Sequence, residues 1–96
     1  MYEIRYTETY RSWFETLKDA NIIARIGVRL KRIQGGNMGD VKPVGGRVSE
    51  IRIDYGAGYR VYYTIRERTI VILLVGGDKK TQAQDIKTAM RLAQKV

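Results

Sequence analysis

The stretch Ser49-Glu50-Ile51-Arg52-Ile53-Asp54-Tyr55-Gly56-Ala57-Gly58-Tyr59-Arg60-Val61-Tyr62-Tyr63-Thr64-Ile65 reads as two strands joined by a tight turn. Side chains alternate across a strand with period two. From Tyr59 to Ile65 that rule puts Tyr59, Val61, Tyr63 and Ile65 on one face, and Arg60, Tyr62, Thr64 and Arg66 on the other. The preceding strand, Val48 to Asp54, alternates through Ile51 and Ile53. Its parity breaks near Ser49, which is either a bulge or the strand's start. Tyr55-Gly56-Ala57-Gly58 supplies the turn.

Downstream, Glu67-Arg68 turns the chain into Thr69 to Val75, a run apolar on both faces, as expected of a central strand covered on each side. Gly76-Gly77-Asp78-Lys79-Lys80 ends it, and Thr81-Gln82-Ala83-Gln84 reads as a capping box for a last helix striped by Ile86, Met90 and Ala93. Upstream, Tyr2 to Tyr6 suits a short strand. Thr7 or Thr9 then caps a helix in which Tyr10, Trp13, Phe14 and Leu17 recur at helical spacing, a core stripe rather than a base-stacking platform. Asp19-Ala20-Asn21 breaks that pattern and offers Asn21 as a cap. Ile22, Ile26, Leu30 and Ile33 mark the buried face of a second helix, and Arg25, Arg29 and Arg32 its cationic neighbour. Gln34 to Gly46, with five glycines and Pro43, reads as a loop. The order is β-α-α-β-β-β-α: an α+β fold with an antiparallel sheet packed against helices, a single domain over residues 1–96.

The composition narrows the chemistry. With 18 Lys and Arg against 10 Asp and Glu, the 96 residues carry +8, and there is no Cys and no His. Disulfide scaffolds, zinc sites and Cys- or His-based nucleophilic catalysis are excluded by residue type. No metal or other cofactor is expected. The longest apolar run, Ile70 to Val75, is too short to cross a bilayer. The expected setting is cytoplasmic, without a membrane partner, and the charge points to a polyanion.

Where that polyanion binds follows from the sheet. Arg52 and Arg60 lie on adjacent strands across the short turn and emerge on one side. Two arginines placed so repel unless an anion lies between them; Glu50 supplies one internally, and a phosphate is the functional alternative. Tyr62 shares the face and could stack on a base. Lys79 and Lys80 follow the next strand. Lys42 and Arg47 lie on the Gly-rich segment, and Arg29 and Arg32 on the cationic helix face. Arg52, Arg60, Lys79 and Lys80, joined by Lys42 and Arg47, define an expected cationic cleft, while Arg29 and Arg32 offer a solvated face or an RNA- or partner-facing stripe.

Ser49-Glu50-Ile51-Arg52-Ile53 with Gly56-Ala57-Gly58-Tyr59-Arg60-Val61-Tyr62-Tyr63 resembles the sheet signature of RelE/HigB-type toxins, in the RelE/ParE superfamily. Leu73-Leu74-Val75-Gly76-Gly77-Asp78-Lys79-Lys80-Thr81-Gln82, followed by Asp85-Ile86 and Ala89, is similar to their addiction module killer branch. Trp13-Phe14, Leu17, Asp19 and Gly36-Asn37-Met38-Gly39-Asp40 also fit, so the resemblance covers nearly the whole chain. It implies the toxin of a toxin–antitoxin module that enters the ribosome and cuts messenger RNA. Arg60 would then stabilise the transition state. Arg52 would bind phosphate or transfer a proton, and Lys79 and Lys80 would contact phosphate. The implied partners are a cognate antitoxin, a small helix-turn-helix protein of the HigA kind, with operator DNA reached only through it, and the ribosome with its message.

Cleavage would proceed by attack of the RNA 2′-hydroxyl on the adjacent phosphorus, with no metal. Glu50, or a lysine whose pKa is lowered by its cationic neighbours, would accept the proton. Glu50 stands where the cleaving relatives carry a second basic residue. Gln82, Gln84 and Asp85 lie near where some relatives place a catalytic Tyr or His. Two other functions are compatible with the same residues: inhibition of DNA gyrase, as by ParE-type toxins, and nucleic-acid binding without catalysis.

Overall fold

The computed structural model describes all 96 residues, Met1–Val96. The elements are β1 (Glu3–Tyr6), α1 (Glu8–Glu15), α2 (Ala20–Gln34), β2 (Val41–Gly45), β3 (Val48–Ile53), β4 (Tyr59–Arg66), β5 (Ile70–Gly77), a 3-10 turn (Lys79–Thr81) and α3 (Gln82–Ala93). The five strands form one sheet in the order β1-β5-β4-β3-β2. The expected meander is present, β3 to β4 to β5, all antiparallel. The N-terminal strand joins it differently: β1 runs parallel to β5, from Glu3 opposite Ile70 to Tyr6 opposite Leu73.

Helices cover both faces. On one, Ile22, Ile26 and Ile33 of α2 and Tyr10 of α1 pack on Ile51, Ile53, Val61, Tyr63, Val71 and Leu73. On the other, Ala89 and Ala93 of α3 pack on Val48, Tyr62, Leu74 and Val75. The apparent parity break near Ser49 is resolved by this second core. Pairing between β3 and β4 runs unbroken from Ser49 to Ile53, and Val48 simply faces α3.

A bulge does occur one strand over. Tyr62 pairs with Val75 and Tyr63 with Leu73, leaving Leu74 as the extra residue. Leu74 and Val75 therefore both face α3, and the alternation restarts in opposite phase. Gly76 then meets the indole of Trp13, and Gly77 meets Thr81 and Asp85; neither site has room for a Cβ.

Three local expectations are corrected. Val41–Gly45, inside the expected loop, is an edge strand antiparallel to β3, with Val41 opposite Ile51. Pro43 lacks an N–H for a ladder, and an edge strand tolerates that because its outer side has no partner. The cap of α2 is Asp19, whose carboxylate accepts from the Asn21 N–H at 2.8 Å, rather than Asn21 itself. Before α3 the capping box is formed by Asp78 and Thr81 around the 3-10 turn, and Thr81 makes no side-chain cap to α3. Thr7, by contrast, caps α1 as one of the two expected threonines, accepting from the Tyr10 N–H at 3.0 Å.

Two hairpin turns carry backbone strain. The β2–β3 turn has positive φ at both Gly46 (59°) and Arg47 (63°), and the β4–β5 turn at both Glu67 (54°) and Arg68 (65°). Such mirror-image turns match the right-handed twist of paired strands. For a residue bearing a Cβ, this left-handed conformation costs about 1 kcal/mol or more.

A charge-compensated cleft at the β3–β4 turn

Register places Arg52 of β3 directly opposite Arg60 of β4, and Arg60 opposite Gly77 of β5. The two arginines thus share one face, as the alternation requires. Each is met by its own carboxylate. Arg52 donates from Nη2 and Nε to Asp40 Oδ1, at 3.0 and 3.2 Å. Arg60 Nε lies 3.8 Å from Glu50 Oε1, and both side chains are almost fully enclosed, 12% and 3% exposed.

Arg60 is held further by its own turn, donating from Nη1 to the carbonyls of Gly58 and Tyr59 at 3.2 Å each. Glu50 is anchored from the other side, accepting from Gln82 Nε2 at 3.1 Å. The first residue of α3 therefore holds the carboxylate that faces the buried arginine. Arg60 Nε and the Tyr62 hydroxyl are enclosed there without a hydrogen-bond partner. Burial, with the charges of Glu50 and Asp85 nearby, pushes the Tyr62 phenol well above its usual range.

Lys79 completes the wall. Gly58, at φ 78°, lets the lysine stem lie across the turn, since a Cβ there would come within 2.8 Å of Lys79 Cε. Asp78 caps the segment by accepting from the Lys80 N–H at 2.9 Å. The result is an open cleft of about 200 Å³ lined by Asp40, Arg52, Asp54, Gly58, Arg60 and Lys79. Three cations and two carboxylates line it, with Glu50 beneath, so it is charge-compensated rather than simply cationic.

Of the expected site residues, Arg52, Arg60 and Lys79 converge. Glu50 is close but buried under Arg60, does not line the opening, and is tied to Gln82. Tyr62 is fully buried in the α3 core, so its ring offers no face to a base. Lys80 is exposed beside the cleft but does not line it. Lys42 sits on the edge strand opposite Glu50. Arg47 lies at the far end of β3, in the other turn.

Arg29 has a structural task. Its guanidinium donates to the carbonyls of Arg52 (2.5 Å) and Asp40 (2.9 Å), fixing the backbone behind the ion pair. Burial lowers its pKa from the ordinary arginine value. Arg32 is exposed and lines a separate depression of about 420 Å³ with Arg25, Arg29 and Asp54.

Asp40 and Asp54 escaped the sequence reading as site residues. Asp40 precedes β2 by one residue, so its proximity to Arg52 becomes visible only once that edge strand is recognised. Asp54 follows β3 by one residue, past the alternation that would mark where it points.

A mixed sheet with helices on both faces is an α+β architecture shared with a solved toxin structure. A chain of the RelB–RelE antitoxin–toxin complex from Methanococcus jannaschii superposes with a TM-score of 0.68, covering 84% of this chain and 96% of that one at 16% identity. Residues 12–96 match the family described as phage-derived protein Gp49-like (DUF891), and the chain belongs to that family. An uncharacterised protein of Haemophilus influenzae is 49% identical over 94 residues, 98% of this chain and 95% of the relative.

Proposed function

We propose that the chain is the toxin of a toxin–antitoxin module and acts as a ribosome-dependent messenger-RNA endoribonuclease of the cytoplasm. The convergence of Arg52, Arg60 and Lys79 on one small open cleft carries this reading. A phosphate entering between Arg52 and Lys79 displaces Asp40 from Arg52 and forms charge-assisted bonds in its place. Arg60, held by two carbonyls and Glu50, offsets the charge that develops on the non-bridging oxygens as the 2′-oxygen attacks phosphorus and the 5′-oxygen leaves. The buried Glu50 positions Arg60. The 2′ proton goes to Asp54, a cleft carboxylate that takes part in no ion pair. The 5′-oxygen leaves with a proton from water, giving a 2′,3′-cyclic phosphate and a free 5′-hydroxyl. The ribosome supplies substrate orientation, a contribution of about 7–11 kcal/mol in favourable cases. The fold shared with a chain of an antitoxin–toxin complex supports a cognate antitoxin partner; the resemblance to HigB-type toxins is the ground for proposing a small helix-turn-helix protein in that role.

Primer extension on a message in a reconstituted translation reaction tests this, beside the same RNA without ribosomes. New 5′ ends that require ribosomes, and that vanish with the exposed-site variants Lys79→Ala and Asp54→Asn, are expected. Intact message in every lane defeats the reading.

The compensation of both arginines favours a second reading, in which the cleft is a binding surface and the target is gyrase. It predicts inhibited supercoiling with the message uncut.

A further inference from the structure

The end of the sheet opposite the cleft carries its own cations, on the two strained turns. Arg47 and Arg68 both occupy left-handed backbone, at φ 63° and 65°, where glycine or asparagine is the unstrained choice. Both are exposed, and neither takes part in any ion pair. Nothing inside the fold explains an arginine at either place. Arg47's contribution to packing is its backbone carbonyl, which accepts from Thr64 Oγ1 at 2.8 Å and would do so with any side chain.

The two turns project from the same end of the sheet, because β2–β3 and β4–β5 reverse there while β3–β4 reverses at the cleft. From strand spacing and hairpin stagger, Arg47 and Arg68 stand roughly 10–15 Å apart. Beside Arg47 an open depression of about 420 Å³ is lined by Gly46, Arg47, Arg66, Ala93 and Gln94. Arg66 is committed to the fold, donating to the carbonyls of Ala93 and Val96, and it anchors the last turn of α3 at this end. Glu67, the carboxylate in these turns, lies near Arg5 of β1.

We propose that this distal end is a second nucleic-acid contact, in which Arg47 and Arg68 grip the phosphate backbone of a duplex. Backbone strain at exposed, unpaired arginines points to a role for the side chain outside the molecule. The contact is to phosphates rather than bases: neither turn nor the depression carries an aromatic side chain on which a base could stack. Helical shape and charge are then what is read, and the two rigid hairpins set the spacing. The site is separate from the cleft and does not depend on its chemistry.

The test uses the whole protein and two fluorescein-labelled hairpins of about 20 base pairs, one RNA and one DNA, with anisotropy followed across salt concentration. Arg47→Gly and Arg68→Gly relieve the backbone, so each variant should melt no lower than the parent, up to about 5 °C higher. That excludes misfolding as the cause of any loss. Each should also weaken binding about three- to tenfold near physiological salt and lower the slope of log K against log salt by about one. Lys18→Ala, an equal loss of charge at an exposed position elsewhere, should leave the slope unchanged. Loss in the RNA arm alone assigns an A-form duplex; equal loss in both arms assigns the backbone charge that RNA and DNA share. A double variant with the parent's slope in both arms, or one no different from Lys18→Ala, overturns the proposal. Because binding is read without cleavage, failure here leaves the cleft's assignment standing, and failure of cleavage leaves this one standing.

Discussion

Arg52 and Arg60 are direct cross-strand partners, yet their guanidinium groups address different carboxylates: Asp40 at the surface and Glu50 beneath it. Like charges directly opposite on a sheet destabilise it. Here the two pairs lie at very different depths, and removing either carboxylate should therefore have a different consequence.

Asp40→Ala opens an exposed pair, with 40% and 55% of the side chains accessible, and should cost at most about 1 kcal/mol. It also frees Arg52 for a phosphate, so affinity for single-stranded RNA should rise. Urea denaturation and anisotropy together check this: a large stability loss, or weaker RNA binding, would contradict the placement of Asp40 as a displaceable counter-ion.

Glu50→Ala leaves Arg60 enclosed without its counter-charge and Gln82 without its acceptor. The expected loss is about 3 kcal/mol, the usual scale for breaking one side of a buried pair. Urea midpoints for Glu50→Ala and Asp40→Ala, compared side by side, should differ in that order.

Gly76→Ala would drive a methyl group into the Trp13 ring. Overpacking of this kind costs about 1–3 kcal/mol. Trp13→Leu, which removes the obstructing ring, should recover part of that loss in a double-mutant cycle, since the two residues touch. Strict additivity of the two single changes would show that the close approach is not the cause.

Tyr10→Phe should be neutral or stabilising by up to about 1 kcal/mol. The Tyr10 hydroxyl is buried without a hydrogen-bond partner, and burial holds its pKa above the usual phenol value. Deleting an unsatisfied polar group while keeping the ring removes a desolvation cost and leaves the packing against Trp13 and Phe14 in place. Thermal melting at neutral pH is sufficient to decide it.

Asp19 gives the fold a pH dependence of known sign. The Tyr55 hydroxyl, donating at 2.9 Å, and then the Asn21 N–H lower its pKa from the ordinary aspartate value. A depressed carboxyl stabilises the folded state above its unfolded pKa near 4, and that contribution disappears as pH falls through the lower folded value. The stability difference between parent and Asp19→Ala should accordingly be constant above about pH 5 and narrow as pH is lowered through the range below about 4. A difference that widens in acid would contradict the assignment.

What could be seen in the sequence follows from which signals are local. The β3–β4 hairpin, both long helices and the apolar β5 announce themselves by period alone, and they carry the α+β class and the meeting of Arg52 with Arg60. β2 is hidden because Gly45, Gly46 and Pro43 look like a loop, and only its pairing with β3 makes it a strand. Losing β2 also hid Asp40, which reaches Arg52 through that pairing. The bulge at Leu74 is invisible in a run where every residue is apolar. The parity it shifts decides that Gly77, rather than Gly76, lies beside Arg60. Tyr62 was misread for a related reason: alternation gives its side but not whether a helix covers that side, and α3 does.

The pairing of β1 with β5 sets an order on biosynthesis. A growing chain holds Glu3–Tyr6 from the outset and has no strand to receive it until Ile70–Leu73 has been made. Gln82, which steadies Glu50, comes later still. Contacts so distant along the chain form late and slowly. A nascent polypeptide that carries Arg52 and Arg60 but not yet α3 has Glu50 beside the inner cation without the Gln82 amide that anchors it. The cleft therefore reaches its final geometry only with the last quarter of the chain to be synthesised, which supplies Lys79 to its wall and Gln82 to Glu50.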